Sequence, residues 1–195
     1  TFSPAAMRTF KGAIKLKSTN DIFMAIISPQ LPERMLELSR YFSAEGIPFI
    51  FDPGQALSAF KKNDLEEVIQ SSFGLIVNEY ERSMLEKTLA KDFVDIVENL
   101  NFGICTLGAM GCELFEDGHS TKLSAFEGCK VLDPTGCGDG FRAGLLHGLK
   151  TGKSLIEACK MGNVLGSFVL EHKGTQNHYF ELSDFNERLS SFSTA

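Results

Sequence analysis

Residues 133–141, Asp-Pro-Thr-Gly-Cys-Gly-Asp-Gly-Phe, bring together groups that could hold an anion and move a proton. Gly136 and Gly138 flank Cys137 and lead directly into a helical run. Glycine lets the backbone turn its N–H groups outward, and a helix start adds roughly half a positive charge. Gly136, Cys137 and Gly138 would thus form an anion pocket made of backbone alone. Asp139 sits at the same positive end. Asp is a favoured helix cap, which is its structural reading. The chemical reading starts from repulsion, because an ionised carboxylate beside a phosphate pocket disfavours phosphate and a plain anion site would avoid it. The carboxylate belongs there if it takes the proton of a hydroxyl attacking that phosphate. A weak base suffices when the transition state is loose and the proton leaves late.

Other groupings have structural readings of their own. Asn78-Glu79-Tyr80-Glu81 places Asn at a helix start and Glu three residues on, the pattern of a capping box. Thr106-Leu107-Gly108-Ala109-Met110-Gly111 ends a strand in a tight connection that needs glycine at positive φ. Phe51-Asp52-Pro53-Gly54-Gln55 reads as a Pro-Gly turn after a strand. Asn163 lies mid-helix, where Asn usually faces water. The histidines, His119, His147, His172 and His178, show no ligand spacing, and a Walker-type G-x-x-x-x-G-K-[ST] loop is absent.

The elements that must carry these groups alternate short apolar strands with amphipathic helices. Strands are predicted at Ile22–Ile27, Phe49–Phe51, Leu75–Val77 and Phe102–Leu107, and a hairpin at Glu113–Glu116 and Thr121–Phe126 around an Asp117-Gly118 turn. Helices are predicted at Glu33–Ala44, closed by Gly46, and at Asp64–Gln70, Glu79–Leu89, Asp92–Leu100, Asp139–Lys150, Leu155–Leu170 and Asp184–Phe192. This rhythm implies a mostly parallel sheet with helices on both faces, and ligands in such sheets sit at the carboxyl ends of the strands. The chain has 195 residues, 43% of them hydrophobic, which suits one globular domain. A net charge of −6 argues against nucleic acid or an anionic membrane surface as the main partner. No apolar run approaches the ~20 residues of a membrane helix. Cys105, Cys112, Cys129, Cys137 and Cys159 are odd in number and form no C-x-x-C pair, which argues against a disulfide framework or zinc site and for a reducing cytoplasm.

The run D-P-T-G-C-G-D-x-F-x-A-G resembles the second signature of the PfkB, ribokinase-like family of sugar and nucleoside kinases. The resemblance implies a three-layer α/β/α fold, with Asp139 as catalytic base and Gly136, Cys137 and Gly138 as the anion hole for the transferred phosphate. Cys137 departs from the usual Ala, Ser or Gly, but its backbone N–H is what counts. Asn78 and Glu81 match the family's N-x-x-E motif, which organises Mg²⁺ and phosphate through water. Thr106, Gly108 and Gly111 match its nucleotide loop along ATP, and Asn163 its residue near the adenine. Lys173-Gly174-Thr175-Gln176 resembles the family's closing segment. In several members carbonyls at the positions of Val169 and Gly174, with Asp133 and Thr135, hold a monovalent cation, so K⁺ is implied as a further cofactor. Residues 51–55 are similar to a segment of bacterial adenosine-kinase-like members.

The resemblance begins about a third of the way into such kinases, and the chain opens at Thr1 with no clear start over Phe2–Phe10. The expectation is a truncated single domain that keeps the ATP-binding core and lacks the N-terminal part, with its substrate-gripping residues, and the small β lid. An exposed sheet edge would favour association, as a homodimer. The activity implied is ATP-dependent phosphorylation of a hydroxymethyl group on a ribose-containing substrate, with adenosine first and a free sugar such as ribose or fructose second. A catalytically silent nucleotide-binding fragment is the alternative from another class. A Rossmann dinucleotide binder fits poorly, since its glycine turn follows the first strand.

Overall fold

The computed structural model describes residues 16, 18, 19 and 21–192. Phe2–Phe10, where the sequence shows no clear start, lies outside them. The chain divides into two compact units. One contains the described residues up to Cys105 together with Phe115–His119; the other contains Thr106–Leu114 and the described residues from Ser120 onward.

In the first unit β1 (Ala25–Ile27), β2 (Phe49–Phe51) and β3 (Gly74–Asn78) pair in parallel, with Ala25 opposite Phe49 and Ile50 opposite Gly74. Phe49, Ile50, Phe51, Leu75, Ile76 and Val77 are all buried, as the uninterrupted apolar runs of a parallel sheet require. Parallel neighbours need crossover connections, and α1 (Pro32–Ala44) and α2 (Lys62–Ser71) supply them. Pro32 opens α1, where its missing N–H has no partner to lose, and Met35, Leu38 and Phe42 recur at helical spacing on its buried face. The strand expected over Ile22–Ile27 is confined to Ala25–Ile27, the length that the three residues of β2 can pair. A 3-10 turn over Gly54–Ala59, not foreseen, follows β2.

α3 (Glu79–Leu89) and α4 (Phe93–Val97) precede β4 (Phe102–Thr106). The helix expected over Asp92–Leu100 stops at Val97 because the chain must turn back: Leu100 N–H donates to the Val97 carbonyl and Asn101 N–H to the Phe73 carbonyl, at 2.9 and 3.0 Å. β5 (Cys112–Glu116) and β6 (His119–Leu123) form the expected hairpin, with Asp117 and Gly118 both at positive φ, as a two-residue primed turn demands. Strand order along the sheet is β1-β2-β3-β4-β5-β6.

The second unit is dominated by α5 (Cys137–Lys150) and α6 (Leu155–Leu170), with α7 (Leu182–Ser191) packed on α6. Gly140, Gly144 and Gly148 recur every fourth residue along one face of α5. A Cβ at Gly144 would lie 2.5 Å from the Met161 carbonyl and one at Gly148 2.7 Å from Ala158 Cα, so this bare row is what lets the backbones of α5 and α6 approach. Met161, Val164, Phe168 and Phe185 then close the core between α6 and α7.

Candidate active site

α5 begins at Cys137, two residues earlier than the sequence suggests, and Asp139 is its third residue rather than its cap. The cap is Gly136, at φ 91° and ψ −5°, in the left-handed region that favours glycine. A Cβ there would also come within 3.1 Å of Thr175 Cα. Gly136 has no side chain to satisfy the first-turn amides, and Cys137 N–H donates to the Pro134 carbonyl at 3.2 Å. Among the described residues, the amides of Gly136, Gly138 and Asp139 have no acceptor. Three N–H groups at the positive end of a 14-residue helix are therefore open to an anion. The Asp139 side chain is 82% exposed, makes no capping hydrogen bond, and lies 3.7 Å from Arg142 Nη1.

Asp133 braces the turn from the other side. One carboxylate oxygen accepts from Thr135 N–H and the other from Gly174 N–H, both at 2.9 Å, which ties the turn to a segment 41 residues away. The Gly174 amide, the Thr135 hydroxyl and amide, and the charge of Lys173 hold the Asp133 carboxyl well below the usual carboxylate range, at about 2. Asp133, Thr135 and Gly174, three of the residues implied for a monovalent cation, are thus adjacent. Val169 lies in the last turn of α6, and its carbonyl accepts from His172 N–H at 3.1 Å. The Cys137 thiol is pushed up, mainly by burial and then by the Asp133 charge, so it stays protonated at neutral pH; of the three amides implied for the anion hole, that of Cys137 is the one already donated, to Pro134.

Six residues singled out in the sequence, Thr106, Gly108, Gly111, Cys137, Gly138 and Asn163, line one cavity of about 150 Å³ in the second unit. Sites that enclose a whole ligand span roughly 300–1,000 Å³, so this one has room for only part of a ligand of that size. Gly111, at φ 92°, is the tightest requirement: a Cβ would collide with the Leu123 carbonyl of β6. Asn163 does not face water. Its Nδ2 donates to the Ser124 carbonyl at 2.8 Å and approaches Cys112 Sγ at 3.9 Å, which leaves Oδ1 to meet a ligand. The Cys112 thiol is lowered by a hydrogen bond from Cys159, partly offset by burial.

Sequence reasoning missed Ser124, Arg142 and the glycines of α6. Gly162 and Gly166, four apart and beside Asn163, bare one wall of the cavity, and that spacing was a usable signal. Nothing in the sequence marked Ser124, since a backbone carbonyl carries no residue-type signature.

Asn78 and Glu81 belong to the first unit, at the start of α3. There the capping box is complete: Asn78 Oδ1 accepts from Glu81 N–H and Glu81 Oε2 from Asn78 N–H, both at 2.9 Å, and Glu81 is buried. No group of three His, Cys, Asp or Glu side chains suited to a metal occurs among the described residues. No helix among them is long and apolar enough to cross a membrane.

A family model described as pfkB family carbohydrate kinase matches residues 9–181. The chain is 32% identical over 139 residues to a nucleoside kinase of Methanocaldococcus jannaschii, across 71% of this chain and 46% of that protein. Its fold is similar to that of Burkholderia thailandensis nucleoside kinase in complex with ADP-inosine, at TM-score 0.85 and 29% identity, over 89% of this chain and 55% of that one. It is also similar to the structure of the M. jannaschii nucleoside kinase, described as an archaeal member of the ribokinase family, at TM-score 0.85 and 26% identity, over 96% and 61%. The expected ribokinase-like α/β class is thereby borne out. The chain spans about half the length of the curated relatives it matches.

Proposed function

Because the chain belongs to the pfkB family of carbohydrate kinases, we propose that it forms the ATP-binding, phosphoryl-transfer part of a kinase whose acceptor is the hydroxymethyl group of a nucleoside. One observation carries the reading. Asp139 stands exposed in the first turn of α5, uncommitted to capping, beside amides with no acceptor of their own. In that role the amides of Gly138 and Asp139 and the helix end hold a non-bridging oxygen of the transferring phosphoryl group. The Asp139 carboxylate accepts the proton of the attacking hydroxyl as the new O–P bond forms and the bond from the γ-phosphorus to the β–γ bridging oxygen breaks, so that ADP leaves. One end of the nucleotide would enter the cavity that Gly111 and Asn163 line, and Asn163 Oδ1, its Nδ2 being held by the Ser124 carbonyl, would accept a hydrogen bond from the base.

A nucleotide-borne Mg²⁺ needs only one or two protein carboxylates besides phosphate and water oxygens. When bound it would neutralise phosphate charge, with Asn78 and Glu81 as its outer partners. The Asp133, Thr135, Val169 and Gly174 backbone would hold K⁺ if turnover depends on it, and replacing K⁺ with Na⁺ in the assay reads that directly. Five free cysteines and the need for ATP suit a reducing, ATP-supplied compartment, the cytoplasm. Val131, Leu132, Tyr179 and Leu182 are half or more exposed, which supports association as a homodimer, measurable by light scattering.

A nucleoside acceptor is favoured over a free sugar because nucleoside kinases recur among the relatives. A thermal-shift screen with adenosine, inosine, ribose and fructose phosphates tests it. Stabilisation by a nucleoside is the expected result, and stabilisation by sugars alone would replace it with the sugar-kinase reading. Against the silent-fragment alternative, Asp139→Asn should keep ATP binding and lower turnover by orders of magnitude.

A further inference from the structure

Two acceptors from either side of the β5–β6 hairpin hold the carboxamide of Asn163. Cys112 opens β5 and Ser124 follows β6. Gly111 lets them meet, since a Cβ on it would lie 2.5 Å from the Ser124 carbonyl carbon. Asn163 Nδ2 donates to the Ser124 carbonyl at 2.8 Å and to Cys112 Sγ at 3.9 Å, a length that the large sulfur atom allows. A carbonyl only accepts, so the amide nitrogen rather than its oxygen must face Ser124. A carboxamide carries two N–H donors, and Ser124 and Cys112 take one each. Cys159 stands one helical turn before Asn163 on the same face of α6 and hydrogen-bonds Cys112 as well. Cys112 and Cys159 are fully buried, so this arrangement is fixed by packing.

What Asn163 turns toward the cavity is therefore an acceptor alone. Its Oδ1 accepts from no described residue. Ser167, which also lines the cavity, offers nothing equivalent: its hydroxyl donates to the Val164 carbonyl at 2.6 Å and accepts from Arg188 Nη1 at 2.9 Å. We propose that Cys112 is a specificity-determining residue: by occupying the second N–H of Asn163, it makes the cavity select a 6-aminopurine over a 6-oxopurine as the base of the phosphoryl donor. The amino group of the first donates to Oδ1. The oxo group of the second, in the same place, sets two oxygens against each other with no N–H left to turn toward it. Cys112 does not itself line the cavity and acts through Asn163. The inference rests on the nucleotide reading of this cavity and adds to it a buried residue that no motif marks.

Titration calorimetry with the Mg²⁺ complexes of ADP and inosine diphosphate, whose bases carry an amino and an oxo group at position 6, reads the selection as a ratio of affinities. Wild type should bind ADP ~10–100-fold more tightly, the range for a buried polar group left unmatched. Cys112→Val releases the second N–H, and the ratio should fall by ~3–10-fold, chiefly through tighter binding of inosine diphosphate. Cys112→Ser, whose hydroxyl accepts in the same place, should keep the wild-type ratio. Should Cys112→Val not fold, Cys112→Ala takes the same measurement. A wild-type ratio near one would overturn the proposal. So would a ratio unchanged in the apolar variant, including equal weakening of both nucleotides, which marks a merely structural residue, and so would a ratio lost equally in Cys112→Ser. Wild-type protein that binds neither nucleotide would instead overturn the nucleotide reading beneath it, so the two failures are distinguishable.

Discussion

The helices α3 and α5 start alike in sequence and differently in space. Each carries an acid at its third position, Glu81 and Asp139. At α3 the cap is Asn78, in extended backbone at φ −94°, and the box between Asn78 and Glu81 closes completely, with Glu81 buried. α6 repeats the arrangement with Ser154 and Glu157. At α5 the cap is Gly136 in the left-handed region, which has no side chain to offer and does not present its N–H to the third residue, so the Asp139 carboxylate stays exposed. A capping box consumes its carboxylate, while a left-handed glycine cap leaves both the amides and the acid unspent. An acid at the third position of a helix whose own helix makes no use of it therefore needs an explanation outside that helix, which a boxed acid does not.

Asp139→Asn attacks that contrast most directly. Turnover should fall by ~10²–10⁴-fold, the usual contribution of a positioned base, while stability moves by no more than about 0.5 kcal/mol, as for an exposed site. Kinetics and a urea melt on one sample read both quantities, and a destabilised but active variant would make α5 a second α3. Gly136→Ala should cost ~1–3 kcal/mol from the left-handed backbone, with the Thr175 contact added, and lower turnover by displacing the turn. Thermal denaturation and a steady-state assay would show both losses. Asn78→Ala removes the cap that α5 does without, and should cost ~1 kcal/mol in denaturant melts.

The subtlest difference lies in pH. Asp133 is held at about 2 in the folded state, against 3.8 for a free side chain, so its stabilisation is in place above pH 4 and is lost as pH falls toward 2. Asp133→Asn should flatten the acid limb of the stability curve in that window and leave the neutral region parallel to wild type. An unchanged acid limb would mean that the turn is not braced by Asp133.

The element order, the parallel strands, the hairpin at Asp117-Gly118 and the box at Asn78 and Glu81 were all legible in the sequence, because each depends on groups within a few residues of one another or on an apolar period. Element ends were less so. β1 is cut to the length of its partner and α4 is stopped by a hydrogen bond to Phe73, neither of which is a local property. The motif residues on either side of the hairpin were named one by one in the sequence. That Thr106, Gly111, Cys137 and Asn163 share a cavity is a matter of packing.

What the amino-acid order determined by itself is the chemistry available: an acid behind two glycines at a helix start, and the glycine rows that let helices and loops come close. What only the tertiary structure decided is which groups are left free to use that chemistry. Asp133 is spent on an amide 41 residues away, Asn163 on the Ser124 carbonyl, and Glu81 on its own helix, whereas Asp139 is left uncapped with Arg142 folded back beside it. The reason is physical: residue type sets what a group can donate or accept, but whether it is already satisfied depends on partners that only the fold brings within about 3 Å.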